Sequence, residues 1–360
     1  MVKVAFILSN LDMDGGQTVV CTLIKNLDKS KYLPRLYILS TEVDNKLSKQ
    51  LSEAGIEYKF LCKKFIPKKL RFFEIIYQLN KEIELFNPNV INVHLDTLYS
   101  WVWAFLKKKR IIFTVHSEAK RIANPMSLKL FDLLNRKELI RVVGVSKFAS
   151  LNFEKIFSAK NVLTIYNPVD ICCDYSKKKA PRNLNLQFIN VARFNPVKNH
   201  KLLIDAFLTV CQELNNVQLV LVGDGQEYDF IKQYVIEKGI KDKVVFTGYR
   251  ENVIEWLEQS DVFVLSSYSE AFPVSVIEAI EVGLPIIATE VGGLPEAVTD
   301  NGILVESNNE NELANAMLLL AKDEDRRKLM GNRSLQKSEL FSTTNIISQY
   351  GRLYDEEATK

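Results

Sequence analysis

The chain has 360 residues, 47% apolar and 25% charged, which fits a globular protein of two ordinary domains and excludes a disordered or fibrous chain. Its net charge of +3 hides an asymmetry: residues 1–170 carry 27 Lys and Arg against 16 Asp and Glu, whereas residues 171–360 carry 20 against 28. No apolar run reaches the roughly 18 residues of a membrane-spanning helix, and five cysteines (Cys21, Cys62, Cys172, Cys173, Cys211) without C-x-x-C spacing point to free thiols in a reducing, cytoplasmic compartment rather than a zinc site.

The opening MVKVAFILSNLD lacks a signal-peptide cleavage pattern and reads as a first strand, VKVAFIL (2–8), followed by an amphipathic stretch from Gln17 to Asn26. PRLYILS (34–40), EYKFL (57–61), NVINV (89–93), RIIFTV (110–115), IRVVGV (140–145) and NVLTIY (161–166) repeat the theme, with helical patterns between most of them. Continuous Val- and Ile-rich strands separated by helices predict a parallel sheet covered on both faces. The rhythm breaks at the polar, basic segment 171–184, which reads as a linker. It resumes with LQFINVA (186–192), VQLVLVG (217–223), KVVFTG (243–248), DVFVLS (261–266), LPIIATE (284–290) and GILVE (302–306), and closes with helices over 309–321, 324–337 and 342–357. The organisation expected is α/β: a Rossmann-like domain over 1–170, a second over 185–340, the two doubly wound sheets facing across a cleft, and a C-terminal helix (341–360) crossing back to the first domain.

Two basic clusters with apolar neighbours lie in the first half, KKFIPKKLRFF (63–73) and WVWAFLKKKR (101–110). They read either as a solvated face plus a helix C-terminus, or as a surface resting on anionic lipid with Phe65, Phe72 and Phe73 dipping in. No nucleic-acid motif accompanies the charge, so nucleic acid is not an expected partner.

In such sheets ligands bind outside the carboxyl ends of the strands, at helix N-termini. LSNLDMDGGQTVV (8–20) places Gly15 and Gly16 at one such entrance, where a backbone without Cβ atoms can approach a ligand closely. The spacing is not G-x-G-x-x-G, which counts against a dinucleotide reductase, and Asp12 and Asp14 lack a third ligand for a metal. VARFNPVKNHKLLIDAF (191–207) offers Arg193 and Lys198 to one anion, the pairing a diphosphate calls for; His200 reads as a packing or capping residue. His116 ends the fifth strand and faces the predicted cleft, with His94 in a similar but weaker position. In SEAFPVSVIEAI (269–280), Pro273 suits the first turn of a helix, which puts Glu270 at its entrance and Glu278 about one and a half turns in. Carboxylates accepting from several hydroxyls are satisfied, and the amides of Phe272 and Val274 are expected to point at a phosphate. A polyhydroxylated, phosphate-bearing ligand, a nucleotide sugar, fits this set.

With these motifs the chain resembles the family 4 retaining glycosyltransferases of GT-B fold, the glycosyl transferases group 1 type. SEAFPVSVIEAIEVGLPIIATEVGGLPEAV (269–298) is similar to that family's E-x7-E signature and its trailing Gly-Gly element. VARFNPVKNH, LVGDGQE and VVFTGYRENV follow the family's order, as do GGQTVV, the His116 strand end, VGVSKFA and IYNPVD in the first half.

The resemblance implies that Arg193 and Lys198 neutralise a leaving diphosphate, that Glu270 orients the donor sugar, and that Glu278 holds the ribose hydroxyls. The backbone of Phe272, Pro273 and Val274 would contact sugar and phosphate. Gly15 and Gly16 would approach the diphosphate and Gly16 the acceptor, with His116 near the donor sugar and the acceptor. Arg250 and Glu251 would lie on the base-contacting loop. It further implies transfer of a hexose or N-acetylhexosamine from a nucleotide sugar, a UDP-sugar before others, with neither metal nor cofactor. The acceptor would be a glycan, lipid-linked in a bacterial surface-polysaccharide pathway such as capsule or O-antigen, reached from the inner membrane face. A nucleotide-sugar epimerase of similar fold and a catalytically degenerate binding subunit are the alternatives. Ala271 stands where the family usually has Gly, and IYNPVD lacks its common Asn-Gly turn.

Overall fold

The structure is a computed structural model that describes residues 1–63, 67–95, 98–169 and 185–360. The predicted linker 171–184 and Phe65 of the first basic cluster lie outside the described residues. The chain forms two compact units, Met1–Val169 with Ser342–Lys360, and Asp170–Phe341.

The first unit holds strands β1 (Val2–Leu8), β2 (Tyr32–Ile38), β3 (Glu57–Phe60), β4 (Val90–His94), β5 (Ile111–Val115), β6 (Ile140–Gly144) and β7 (Leu163–Thr164). They form one parallel sheet in the order β3-β2-β1-β4-β5-β6-β7. Side chains alternate across a strand, and β1 shows why its run is apolar throughout. Ala5 and Ile7 enter one core with Trp101, Phe113, Phe131 and Phe153. Val4, Phe6 and Leu8 enter another, on the opposite face. The C-terminal helix Thr343–Ala358 packs into this second core through Ile346, Tyr350, Leu353 and Tyr354. Its polar groups are met there: Tyr354 Oη accepts from Asn92 at 2.8 Å, and Glu357 pairs with Arg110 at 2.6 Å.

The second unit holds β8 (Leu186–Val191), β9 (Val217–Val222), β10 (Val244–Gly248), β11 (Val262–Leu265), β12 (Ile286–Thr289) and β13 (Gly302–Val305), parallel and ordered β10-β9-β8-β11-β12-β13. All thirteen strands among the described residues overlap the apolar runs read from sequence, β2 starting two residues earlier, at Tyr32, and β4 ending one later, at His94. Strand order reverses between β1 and β4 in one sheet and between β8 and β11 in the other. Chains leaving such neighbours go to opposite faces, so each reversal opens a crevice at the strands' carboxyl ends.

Candidate active site

In the second unit the loops after β8 and β11 meet at the reversal. Ser266 donates its hydroxyl to the carbonyls of Lys198 and Asn199, both at 3.0 Å, and the Tyr268 N–H donates to the Val197 carbonyl at 2.8 Å. The Lys198 turn is held locally as well. Asn195 accepts from its N–H at 3.3 Å, and Asn199, in the left-handed region at φ 49°, caps the helix His200–Glu213. Gly223 and Gly225 pack against the same loop: a Cβ on them would lie 2.0 Å from the Ala192 carbonyl oxygen and 2.4 Å from that of Phe194. His200 is buried face to face on Phe194, with ring centroids 4.1 Å apart, and burial pushes its pKa down to about 3. It is a neutral packing residue.

Lys198 Nζ lies 2.6 Å from Glu270 Oε1, and the Ser267 hydroxyl donates to that same oxygen at 2.6 Å. Glu270, which the sequence assigns to ligand hydroxyls, is also paired within the chain, because a carboxylate only 8% exposed needs a cation or donors close by. Its main chain is fixed too, since its carbonyl accepts from the Gly293 N–H at 3.1 Å. Arg193 is exposed on the loop that carries Lys198.

The helix Val274–Glu281 begins beside this pair. Pro273 is its cap residue, just outside the first turn in which the sequence reading placed it, and no side chain caps the helix. Amides of a first helical turn have no intrahelical acceptor, so those of Val274 and Ser275 form the positive end of the helix. Phe272 turns its ring into the core against Phe341, with centroids 5.4 Å apart, which leaves only its main chain to face a ligand.

Glu278 follows one turn into the helix. It is half-buried, its carboxylate has no partner among the described residues, and burial raises its pKa to about 7. The fold thus favours the protonated form. Its contribution to stability is full below the unfolded value of 4.5 and is lost as pH rises to about 7. Glu278→Gln is expected to match the parent's stability near pH 4 and to exceed it by roughly 2–3 kcal/mol above about pH 7, read by urea denaturation. Parallel pH profiles for the two proteins would contradict this. Glu281, raised to about 6, titrates in both and cancels in the comparison.

Arg250 and Glu251 sit on the loop after β10, the edge strand, two places from β8. Both are exposed, and the Arg250 guanidinium lies over the Trp256 ring at 5.6 Å.

In the first unit, Gly15 and Gly16 open the helix Gly15–Asn26, which follows β1. A Cβ on Gly16 would lie 3.0 Å from Leu95, so a small residue suits the approach of this helix to the end of β4. His94 ends β4 and His116 follows β5; their Nδ1 and Nε2 atoms are 2.9 Å apart. Burial lowers the pKa of His116 to about 4 and that of His94 well below the ordinary range. Sequence reasoning had named both histidines but not their pairing, which needs β4 and β5 to be neighbours. Asp12 and Asp14 belong to no three-ligand cluster among the described residues.

The glycosyl transferases group 1 profile matches residues 174–356, and that of glycosyltransferase family 4 matches residues 13–171. The chain belongs to the family 4, group 1 glycosyltransferases, and the protein is a glycosyltransferase of GT-B fold. It is 29% identical over 286 residues to an N-acetyl-alpha-D-glucosaminyl L-malate synthase of Bacillus anthracis, spanning 74% of each chain. It is 22% identical over 371 residues to a Campylobacter jejuni N-acetylgalactosamine-N,N'-diacetylbacillosaminyl-diphospho-undecaprenol 4-alpha-N-acetylgalactosaminyltransferase, spanning 96% of this chain and 97% of that protein. Anabaena Alr3699/HepE, crystallised with UDP and glucose, shares the fold at a TM-score of 0.83 and 19% identity, over 99% of this chain and 100% of the other.

Proposed function

We propose that the protein transfers a hexose or N-acetylhexosamine from a UDP-sugar, with retention at the anomeric carbon, to a lipid-linked glycan during assembly of a bacterial surface polysaccharide such as capsule or O-antigen. The observation that carries this reading is the Lys198–Glu270 pair at 2.6 Å, set at a strand-order reversal next to an uncapped helix N-terminus. A cation and main-chain amides are there to receive a diphosphate, and a carboxylate lies beside them to accept from sugar hydroxyls. The names of the Bacillus and Campylobacter relatives and the ligands of the Anabaena crystal structure support an N-acetylhexosamine, an undecaprenol-linked acceptor and UDP respectively.

In this reading the bond between the anomeric carbon and the diphosphate oxygen breaks with its electron pair going to the diphosphate. Arg193, Lys198 and the amides of Val274 and Ser275 stabilise that charge as it develops. The acceptor oxygen attacks from the same face, and its proton passes to the departing phosphate oxygen. No protein base is required, and the two cations supply the charge neutralisation a metal would otherwise provide. Glu270 orients the sugar ring; Lys198 and Ser267 hold it in place to do so. Glu278 accepts from the ribose hydroxyls, and Phe272 and Pro273 contribute main chain. Gly15 and Gly16 approach the diphosphate and acceptor, His116 the donor sugar and acceptor, and Arg250 and Glu251 the base.

The acceptor is reached from an anionic membrane surface through the helix Lys68–Phe86. Leu70, Phe73 and Tyr77 recur at helical spacing and are 56%, 69% and 64% exposed, a stripe that would otherwise stay wet. Phe72, expected to dip in as well, packs against Tyr99 instead, with ring centroids 5.4 Å apart. No helix among the described residues is long and apolar enough to cross a membrane.

One experiment tests donor, stereochemistry and surface together. The protein is incubated with UDP-N-acetylglucosamine and an undecaprenyl-diphosphate-linked sugar in vesicles with and without anionic lipid. An α-linked product, formed faster on the anionic vesicles, is expected. An inverted product contradicts the retaining mechanism, and equal rates on both vesicles remove the membrane surface.

A further inference from the structure

A contact of 2.9 Å between His94 Nδ1 and His116 Nε2 requires one N–H and one lone pair. The atom that decides which ring donates is His94 Nε2, which is buried and has no hydrogen-bond partner among the described residues. His94 itself is 0% exposed and lies over the Phe6 ring, so water does not reach it. A proton on Nε2 would seal an N–H away from every acceptor among the described residues, whereas an unmet lone pair there is the milder and commoner defect. The His94 proton therefore sits on Nδ1 and is donated to His116 Nε2. With Nε2 accepting, His116 carries its own proton on Nδ1. That ring is only partly buried, and its Nδ1 has no hydrogen bond among the described residues.

We propose that His94 is a positioning residue that locks His116 into the Nδ1–H form, so that His116 offers a single fixed donor to a neutral oxygen of the donor sugar, a hydroxyl or an acetamido carbonyl. The sugar part rests on the reading of His116 as a donor-sugar contact; the tautomer part does not. A histidine free to choose its tautomer would present a donor in some molecules and an acceptor in others. Holding Nε2 occupied removes that ambiguity, and the rigid ends of β4 and β5 fix the ring plane.

Long-range proton–nitrogen NMR spectra of the full chain, labelled at histidine and recorded near pH 7, read which ring nitrogen carries each proton. Both His94 and His116 are expected to be protonated at Nδ1. In His94→Leu, His116 is expected to shift toward the Nε2–H form that an unconstrained imidazole prefers. His94→Asn, whose amide nitrogen can take the place of Nδ1, restores the parent form. Calorimetric binding of UDP-N-acetylglucosamine and of UDP gives the second readout. His94→Leu weakens the nucleotide sugar about three- to tenfold while leaving UDP unchanged, the loss expected of one hydrogen bond, and His94→Asn recovers most of it. A wild-type spectrum with His116 protonated at Nε2 overturns the proposal, and it needs no variant to fold. Should the spectra agree while His116→Ala binds the nucleotide sugar as tightly as the parent, the donor-sugar role of His116 falls and the tautomer assignment stands.

Discussion

Lys198→Ala lowers kcat/KM by a factor on the order of 10² or more, the loss typical when one preorganised donor to a developing oxyanion is removed. The ammonium group is placed for this by its surroundings. Asn195 shapes the turn, the Ser266 hydroxyl bonds to the Lys198 carbonyl at 3.0 Å, and Glu270 holds the side chain at 2.6 Å. In the proposed role the substitution removes a cation whose value grows as the diphosphate departs, so the loss is expected mainly on kcat. A second consequence is separable. Glu270 keeps its bond from Ser267 but loses its cation, which costs the fold about 1–3 kcal/mol. Steady-state kinetics with a UDP-sugar, beside urea denaturation, measure the two. Activity within about threefold of the parent would sit far below the expected loss and would remove the diphosphate role from Lys198.

Gly292→Ala is the substitution with the largest expected cost to stability. Gly292 has φ 57°, where an alanine costs about 1–2 kcal/mol, and its Cβ would lie 1.6 Å from the Glu270 carbonyl oxygen. The obstacle is main chain, so no side-chain rotation relieves it. Glu270 must move, and with it go the Gly293 hydrogen bond and the contacts to Lys198 and Ser267. A loss of about 4 kcal/mol or more is expected, in the range that marks a specific structural conflict, together with loss of nucleotide-sugar binding. Gly239→Ala serves as the control: its φ is also positive, at 72°, but nothing lies within 4 Å of the added carbon. Equal losses for the two variants by urea denaturation would show that the close approach to Glu270 carries no weight.

Most of the framework was legible in the sequence because buried parallel strands leave an unambiguous trace. A strand covered on both faces, such as β1 or β9, has no polar side to confuse the pattern. The Lys198–Glu270 contact was not legible. The two residues are far apart in the chain and meet only because β11 pairs with β8, and strand order is not written in the hydropathy of either strand. The His94–His116 contact was hidden for the same reason, as it depends on the pairing of β4 with β5. The exposed stripe of Leu70, Phe73 and Tyr77 could have been found from helical spacing alone. Reading the cluster by its aromatic content selected Phe72, which the helix turns toward Tyr99. The Gly-Gly element after β12 was visible as a motif, yet its use as a seat for the Glu270 carbonyl appears only in three dimensions.

The central claim is that the loop of Arg193 and Lys198, with the N-terminus of the helix Val274–Glu281, receives the nucleotide diphosphate. A crystal structure of the protein grown with UDP tests it most directly. The account places the diphosphate against residues 193–198 and the amides of Val274 and Ser275, with the ribose hydroxyls on Glu278. UDP bound away from the 193–198 and 270–278 segments would contradict it.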